Sequence, residues 1–196
     1  MATKLYLLWH ASVVKPTYWE LGLTGGMANA RNPVVDTVAS GTEIQWTRAA
    51  GAEVVAWISP RLAAGITLTT ATVSIDAKES HINANCGGRA RLFRWQPDGT
   101  ETELGGGPFS DGVEFTTSFA AYDWVCDFTD TAFNAGDRIL LKLYITNVGT
   151  MGGGYTCTMG LNQSATLNYL NFTAETPTFL PESARRCTHL LLGVGG

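Results

Sequence analysis

A chain of 196 residues can bury a large core and fold as one domain without needing a disulfide or a metal ion. Charged residues make up 15% and hydrophobic residues 45%, so the charged share is low and Gly, Thr, Asn and Ser fill the difference. The formal net charge of −4, with 13 scattered Lys and Arg, argues against nucleic-acid binding. No apolar run is long enough for a membrane span, and the first residues lack a signal-peptide pattern. We therefore expect a protein that is made in the cytoplasm and does not contact a membrane.

Alternation of apolar and polar residues predicts strands along most of the chain. Three segments alternate most clearly, and their in-phase apolar residues are Ala71, Val73, Ile75 and Ala77, then Tyr122, Trp124, Cys126 and Phe128, and finally Ile139, Leu141, Leu143 and Ile145. Further strands are predicted at residues 5–9, 54–59, 89–96, 155–161 and 165–173. No window shows a helical period, so helix should be minor.

Turn sequences separate these strands. Gln96-Pro97-Asp98-Gly99 predicts a tight turn into a short strand near residues 102–104, since Pro sets φ and Gly accepts a positive φ. The glycine-rich residues 149–154 predict a long hairpin loop between the strands at 138–146 and 155–161. Many short strands with such turns indicate an all-β, antiparallel two-sheet sandwich of jelly-roll type.

Two segments do not fit the sandwich pattern. Residues 15–41 are rich in Gly, Pro and Asn and predict an irregular excursion within a domain spanning 1–182, and residues 183–196 predict a C-terminal tail. Exposed apolar residues in such segments tend to contact another surface. The predicted partner-binding residues are Trp19, Leu21, Leu23, Arg185, Arg186, Leu190, Leu191 and Leu192.

Motifs for catalysis are missing from the sequence. The histidines His10, His81 and His189 are far apart, and neither a metal-binding histidine pattern nor a Gly-x-Ser-x-Gly elbow occurs. The four cysteines (Cys86, Cys126, Cys157 and Cys187) form no CxxC pair, and without a secretion signal we expect buried free thiols. We therefore predict no catalytic residue, no cofactor and no metal site, and a protein that is not an enzyme.

Carboxylates leave two alternatives open. Asp123 and Asp127 share the polar face of one predicted strand, and Asp130 follows them; these three could bind calcium through their oxygens or form a solvated face. A hydrolase on the same scaffold would need two carboxylates that converge in a cleft.

One stretch resembles a known group of proteins. Phe133-Asn134-Ala135-Gly136-Asp137-Arg138, the apolar strand that follows, and the Gly- and Thr-rich stretch up to residue 172 are similar to β-sandwich structural proteins of tailed-phage virions. The resemblance implies a virion protein, and within that class we predict a capsid decoration or cement protein. It would be a homo-oligomer, with a trimer favoured, and would bind the major capsid (coat) protein. The alternative is a carbohydrate-binding or receptor-binding module of a tail or fibre.

Overall fold

The structure is a computed structural model and describes residues 3–11, 18–22, 32–37, 44–46, 55–149, 154–161 and 168–180. Apart from a short 3₁₀ turn at Ile82–Ala84, the regular elements of this part of the chain are strands, and the predicted all-β class is confirmed. The strands are β1 Thr3–Ala11, β2 Trp19–Gly22, β3 Asn32–Thr37, β4 Ile44–Gln45, β5 Ala56–Ile58, β6 Ile66–Glu79, β7 Cys86–Trp95, β8 Glu101–Glu103, β9 Ala120–Phe133, β10 Arg138–Asn147, β11 Thr156–Leu161 and β12 Tyr169–Phe172.

Two antiparallel sheets make up the sandwich, as predicted. In the first, β6 pairs with β9 on one side and with β11 and β12 on the other; β3 extends β11, and β1 and β2 extend β12. In the second, β10 lies between β7, which carries β8, and the short strands β4 and β5. The two sheets meet where β2 and β5 pair in parallel through Trp19 and Trp57. This seam continues the hydrogen bonding from one sheet to the other, so neither sheet has an open edge there.

The core fills the space between the inner faces of the sheets. All twelve residues of the three predicted apolar stripes are buried, because every second side chain of a strand points to the same face. The largest fully buried side chains include Trp46, Trp57, Trp124 and Phe115. The alternation in the sequence therefore predicted the buried faces of β6, β9 and β10 correctly.

The Ala-Gly-Asp-Arg sequence between β9 and β10 forms a turn that is held by hydrogen bonds to a buried side chain. Oδ2 of the buried Asp137 accepts hydrogen bonds from the backbone N–H of Asn134 at 2.7 Å and from Nε of Arg94 at 2.6 Å. Gly136 has a φ of 91°, which glycine adopts without steric cost. Arg138 then donates from a guanidinium N–H to the carbonyl oxygen of Ser59 at 2.7 Å. The motif therefore has a structural role, because it ties β9 and β10 to the chain that follows β5.

Two expectations about connections need correction. Residues 15–41 are not wholly irregular, since they contain β2 and β3, and both strands pair within the first sheet. The predicted hairpin between β10 and β11 is wrong: β10 pairs with β4, β5 and β7, whereas β11 pairs with β3 and β6. A Gly-rich loop between two alternating segments signals a reversal of the chain, but it does not choose the strand with which each segment pairs.

The cysteines also differ from expectation. Cys86 of β7 and Cys157 of β11 form a disulfide, and Cys126 of β9 is a buried free thiol. Cys187 lies outside the described residues. Within the described residues, no helix has the length and apolar character needed to cross a membrane.

Candidate functional site

β6 ends in a buried carboxyl group. The alternation that buries the apolar residues of this strand continues in phase to Glu79, which is only 1% exposed. Its Oε2 accepts a hydrogen bond from the backbone N–H of Cys86 at 3.3 Å, and Sγ of the same cysteine lies 3.6 Å away. An ionised carboxyl at such a position loses most of its hydration, so it favours the neutral form or a charged partner.

A second carboxyl group reaches Glu79 from the loop between β8 and β9. The N–H of Phe115 donates to the carbonyl of Cys86 at 2.8 Å, and the N–H of Glu79 donates to the carbonyl of Thr116 at 2.9 Å. The hydroxyl of Tyr122 accepts from the N–H of Thr116 at 2.7 Å. These bonds hold residues 114–116 across the ends of β6 and β7, and Glu114 and Glu79 line the same cavity there.

The surroundings of Glu79 change the pKa of its carboxyl group. Burial raises the pKa of Glu79 from 4.5 to about 6; the hydrogen bond from the N–H of Cys86 opposes the rise, and the nearby carboxyl of Glu114 adds to it. Oε1 of Glu114 is buried without a hydrogen-bond partner among the described residues. None of the ion pairs formed by the described residues reaches either carboxyl. A buried carboxyl beside a second acidic residue favours its neutral form, so Glu79 keeps its proton to a higher pH than an exposed glutamate does.

A cavity of about 270 Å³ opens onto the pair. Its walls are Glu79, Ile82, Glu114, Phe115, Thr116 and Thr117. Phe115 is buried and forms part of an aromatic cluster with Trp46 and Tyr122, so the floor of the cavity is rigid and apolar. Thr116, Thr117 and Ile82 are exposed, which places them at the entrance. The arrangement can hold a small molecule against two carboxyl groups that differ in solvation.

The raised pKa of Glu79 has a measurable consequence for stability. The folded state binds this proton more tightly than the unfolded state, so the contribution is fully present below about pH 4.5 and is lost as the pH rises to about 6. The loss amounts to about 2 kcal/mol of the free energy of unfolding. Glu79→Gln should remove this dependence and gain about 2 kcal/mol relative to the native protein between pH 4 and pH 7.5.

Urea denaturation of both proteins at pH 4, 5, 6 and 7.5 checks this prediction. Glu103→Gln, which changes an exposed carboxyl paired with Arg91, is the matched control and should show no such gain across the pH range. Equal pH dependence of the native protein and the Glu79→Gln variant would contradict the prediction.

The residues predicted to bind a partner are not brought together at this site. Trp19 is 3% exposed and Leu21 is 0% exposed, and both belong to the core cluster, so their side chains are occupied within this chain. The remaining ones (Leu23, Arg185, Arg186, Leu190, Leu191 and Leu192) lie outside the described residues, and their role stays a prediction.

The fold also gives the positions of the other residues that the sequence analysis considered for metal binding or catalysis. Asp123, Asp127 and Asp130 lie on the exposed side of β9, and Asp123 accepts a hydrogen bond from the hydroxyl of Ser74. The described residues contain no group of three or more His, Cys, Asp or Glu side chains that could hold a metal ion. Burial raises the pKa of the Cys126 thiol to about 12, so it is a poor nucleophile. His81 stacks on Tyr155 with ring centroids 4.8 Å apart.

Sequence reasoning missed both members of the carboxyl pair. A signal for Glu79 was present, because it continues the phase of the buried face of β6 as a charged residue at an inward position. Nothing in the sequence links it to Glu114, which lies outside the strands in the β8–β9 connection. The two residues meet only because the sheets fold over each other.

Comparison with known proteins gives matches of fold. No protein-family model matches the chain, and no curated protein matches it. An aminopeptidase from the marine sediment archaeon Thaumarchaeota archaeon matches with a TM-score of 0.57 and 10% identity, over 88% of this chain and 36% of that one. An α-amino acid ester hydrolase matches with a TM-score of 0.54 and 10% identity, over 86% of this chain and 35% of that one. A CocE/NonD family hydrolase from Staphylococcus aureus matches with a TM-score of 0.53 and 8% identity, over 90% of this chain and 36% of that one. The chain thus spans about a third of the length of these hydrolases, and at such low identity the likeness shows the fold alone.

These matches correct the predicted function. The prediction of a capsid decoration protein that is not an enzyme is wrong, since the solved structures sharing the sandwich at TM-scores of 0.53 to 0.57 are hydrolases. The alternative function as a receptor-binding module is wrong on the same ground, and the structures do not support describing the protein as a virion cement protein. The resemblance had rested on an anchored turn and an alternating strand, and a sandwich of any function can use both. The resemblance itself, the coat-protein partner, the trimer and the virion location are not tested by these structures and stay predictions.

Proposed function

We propose that this protein is a hydrolase in which Glu79 and Glu114 act as the acid–base pair. The observation that carries the proposal is the meeting of the two carboxyl groups in one cavity, where one of them has a pKa of about 6. Two carboxyls that line one cavity are the groups that acid–base hydrolysis on a sandwich scaffold would use, and a perturbed carboxyl in a cavity is characteristic of a catalytic acid or base. The fold shared with known hydrolases supports the reaction class.

The two glutamates have different roles because their surroundings differ. Glu79 is almost fully buried and retains its proton to a higher pH than an exposed glutamate does, so it is the general acid. Glu114 is only partly buried and lines the same cavity, so it is the residue placed to act there as the general base toward a water molecule. In the reaction the water gives a proton to Glu114 and its oxygen attacks the substrate carbonyl. The proton of Glu79 passes to the leaving group, and proton exchange within the pair restores the starting state.

The substrate class proposed is the acyl bond of an ester or amide. Two of the matching structures are named as an aminopeptidase and an α-amino acid ester hydrolase, so small esters and amides of amino acids are the natural first substrates. A cavity of about 270 Å³ can admit molecules of this size.

Hydrolysis of p-nitrophenyl esters and p-nitroanilides of amino acids, measured from pH 4 to pH 9 with the purified chain, tests the proposal. We expect kcat/KM to fall as the pH rises through about 6, because Glu79 acts as the general acid and loses its proton in that range. Glu79→Gln and Glu114→Gln should each lower kcat/KM by 10²-fold or more, whereas Glu103→Gln should leave it unchanged. Hydrolysis no faster than in buffer, or full activity of both variants in the pair, would overturn the proposal.

A further inference from the structure

The disulfide of this chain borders the buried carboxyl of Glu79 from two sides. Cys157 is the register partner of Glu79 in the antiparallel pair of β6 and β11, so the two residues are direct neighbours across the strands. Cys86 approaches from β7 of the other sheet: its backbone N–H donates to Oε2 of Glu79 at 3.3 Å, and its Sγ lies 3.6 Å from the same oxygen. The Cys86–Cys157 bond therefore joins the two sheets at the carboxyl site.

The sulfur of Cys86 lies where it can donate a hydrogen bond to Glu79 only after reduction. A disulfide sulfur carries no hydrogen, whereas a thiol is a weak donor, and this sulfur already lies 3.6 Å from Oε2. Both cysteines are fully buried, so each remains a neutral thiol after reduction, because burial disfavours a thiolate. A hydrogen bond donated to a carboxylate stabilises the ionised form of the acid. Reduction therefore acts against the burial that keeps Glu79 protonated.

We propose that the Cys86–Cys157 disulfide is a redox switch that controls the protonation of Glu79, the general acid of the proposed hydrolase. The inference rests on the proposed function and names how its site is regulated. The reductant is a dithiol, and Glu79 lines the cavity, so the sulfur of Cys86 lies one side chain behind the cavity wall.

The reduction is a thiol–disulfide exchange in two steps. One thiolate of the dithiol attacks a sulfur of the Cys86–Cys157 bond, which forms a mixed disulfide and releases one cysteine. The second thiolate of the dithiol then attacks its own bonded sulfur and releases the other cysteine. The dithiol ends as a cyclic disulfide, and its two electrons and two protons leave Cys86 and Cys157 as thiols.

Hydrolysis of an amino acid p-nitroanilide before and after reduction tests the switch. The protein is reduced with dithiothreitol and freed of it by gel filtration under nitrogen. We expect kcat/KM at pH 7 to be about threefold lower after reduction, because the thiol hydrogen bond promotes ionisation of the acid. At pH 4 the two forms should be equally active, since Glu79 is protonated in both.

Cys126→Ala is the matched control for this measurement. It removes the buried free thiol of β9 and keeps the disulfide, so it should respond to dithiothreitol as the native protein does. Equal activity of the oxidised and reduced forms of an active protein at pH 7 would overturn the switch. Loss of the native circular dichroism spectrum on reduction would also overturn it, because the disulfide would then serve only to stabilise the fold.

Two single variants separate the effect of the thiol from the loss of the cross-link. Both break the disulfide, but Cys157→Ala leaves a permanent thiol at Cys86, whereas Cys86→Ala leaves none. The titration midpoint of the Glu79 carboxyl, followed by carbon-13 NMR, should fall by about half a pH unit on reduction of the native protein and in Cys157→Ala. It should not fall in Cys86→Ala. Equal midpoints in the two variants would contradict the role of the thiol.

The NMR titration needs no turnover, so it separates failure of the switch from failure of the proposed function. A midpoint that falls on reduction in a chain without hydrolytic activity would contradict the acid–base proposal alone. Hydrolysis that reduction leaves unchanged, together with an unchanged midpoint, would contradict the switch alone.

Discussion

Gly88→Ala should destabilise the sandwich by about 3 kcal/mol or more, a large part of the stability of a typical domain. A side-chain carbon at this position would lie 2.3 and 2.5 Å from two ring carbons of Trp124 and 2.9 Å from Phe115. Both rings are fully buried, and Phe115 is held between Trp46 and Tyr122, so neither can move aside. The backbone cannot shift either without breaking the pairing of β7 with β10.

Urea denaturation followed by far-ultraviolet circular dichroism measures this loss. Gly149→Ala is the matched control, because the nearest atoms to an added carbon there are 3.6 Å away, and it should cost less than about 1 kcal/mol. Trp124→Leu removes the two ring carbons in question, so Gly88→Ala should cost less in that background than in the native protein. An unchanged denaturation midpoint for Gly88→Ala would show that the aromatic cluster packs differently.

Asp137→Ala should cost about 3 kcal/mol, because it leaves a partly buried guanidinium and a backbone N–H without their acceptor. The carboxyl of Asp137 is 2% exposed and joins Nε of Arg94 at 2.6 Å. It also caps the turn through the N–H of Asn134. Arg94 retains a hydrogen bond to the carbonyl of Ala132 and some contact with water, which keeps the cost below that of a fully buried pair.

Thermal and urea denaturation of Asp137→Ala at pH 7 provide the measurement. Glu103→Ala breaks an ion pair at 2.9 Å in which the side chains are 27% and 37% exposed, and it should cost less than about 1 kcal/mol. Asp137→Asn keeps one acceptor oxygen and removes the charge, so we expect an intermediate loss. If Asp137→Ala proves no more harmful than Glu103→Ala, the turn is not anchored through its carboxyl.

The alternation of β6, β9 and β10 in the sequence was sufficient to predict the twelve core residues of their apolar stripes, but not the burial of Ser74, Asp76 and Leu140 on the opposite faces. A strand exposes one face to the core at every second residue, so the apolar period carries this information locally. The turn at Pro97-Asp98-Gly99 was also predictable from neighbouring residues, because Pro sets φ and Gly accepts a positive φ. The short strand predicted after it is β8, which pairs with β7. The strands within residues 15–41 were missed because their pattern is short and interrupted by Gly and Pro.

The sequence by itself therefore determined the fold class, the buried faces and several turns of this protein, since each depends on residues that are neighbours along the chain. The tertiary structure alone decided strand partners, the Cys86–Cys157 disulfide and the candidate site. Glu79 could be recognised in the sequence as a charged residue at an inward-facing position of β6. Its place in a candidate site depends on Glu114, which the β8–β9 connection brings across the ends of β6 and β7. A carboxyl acquires a raised pKa from burial and from a neighbouring charge, and both are properties of three-dimensional packing.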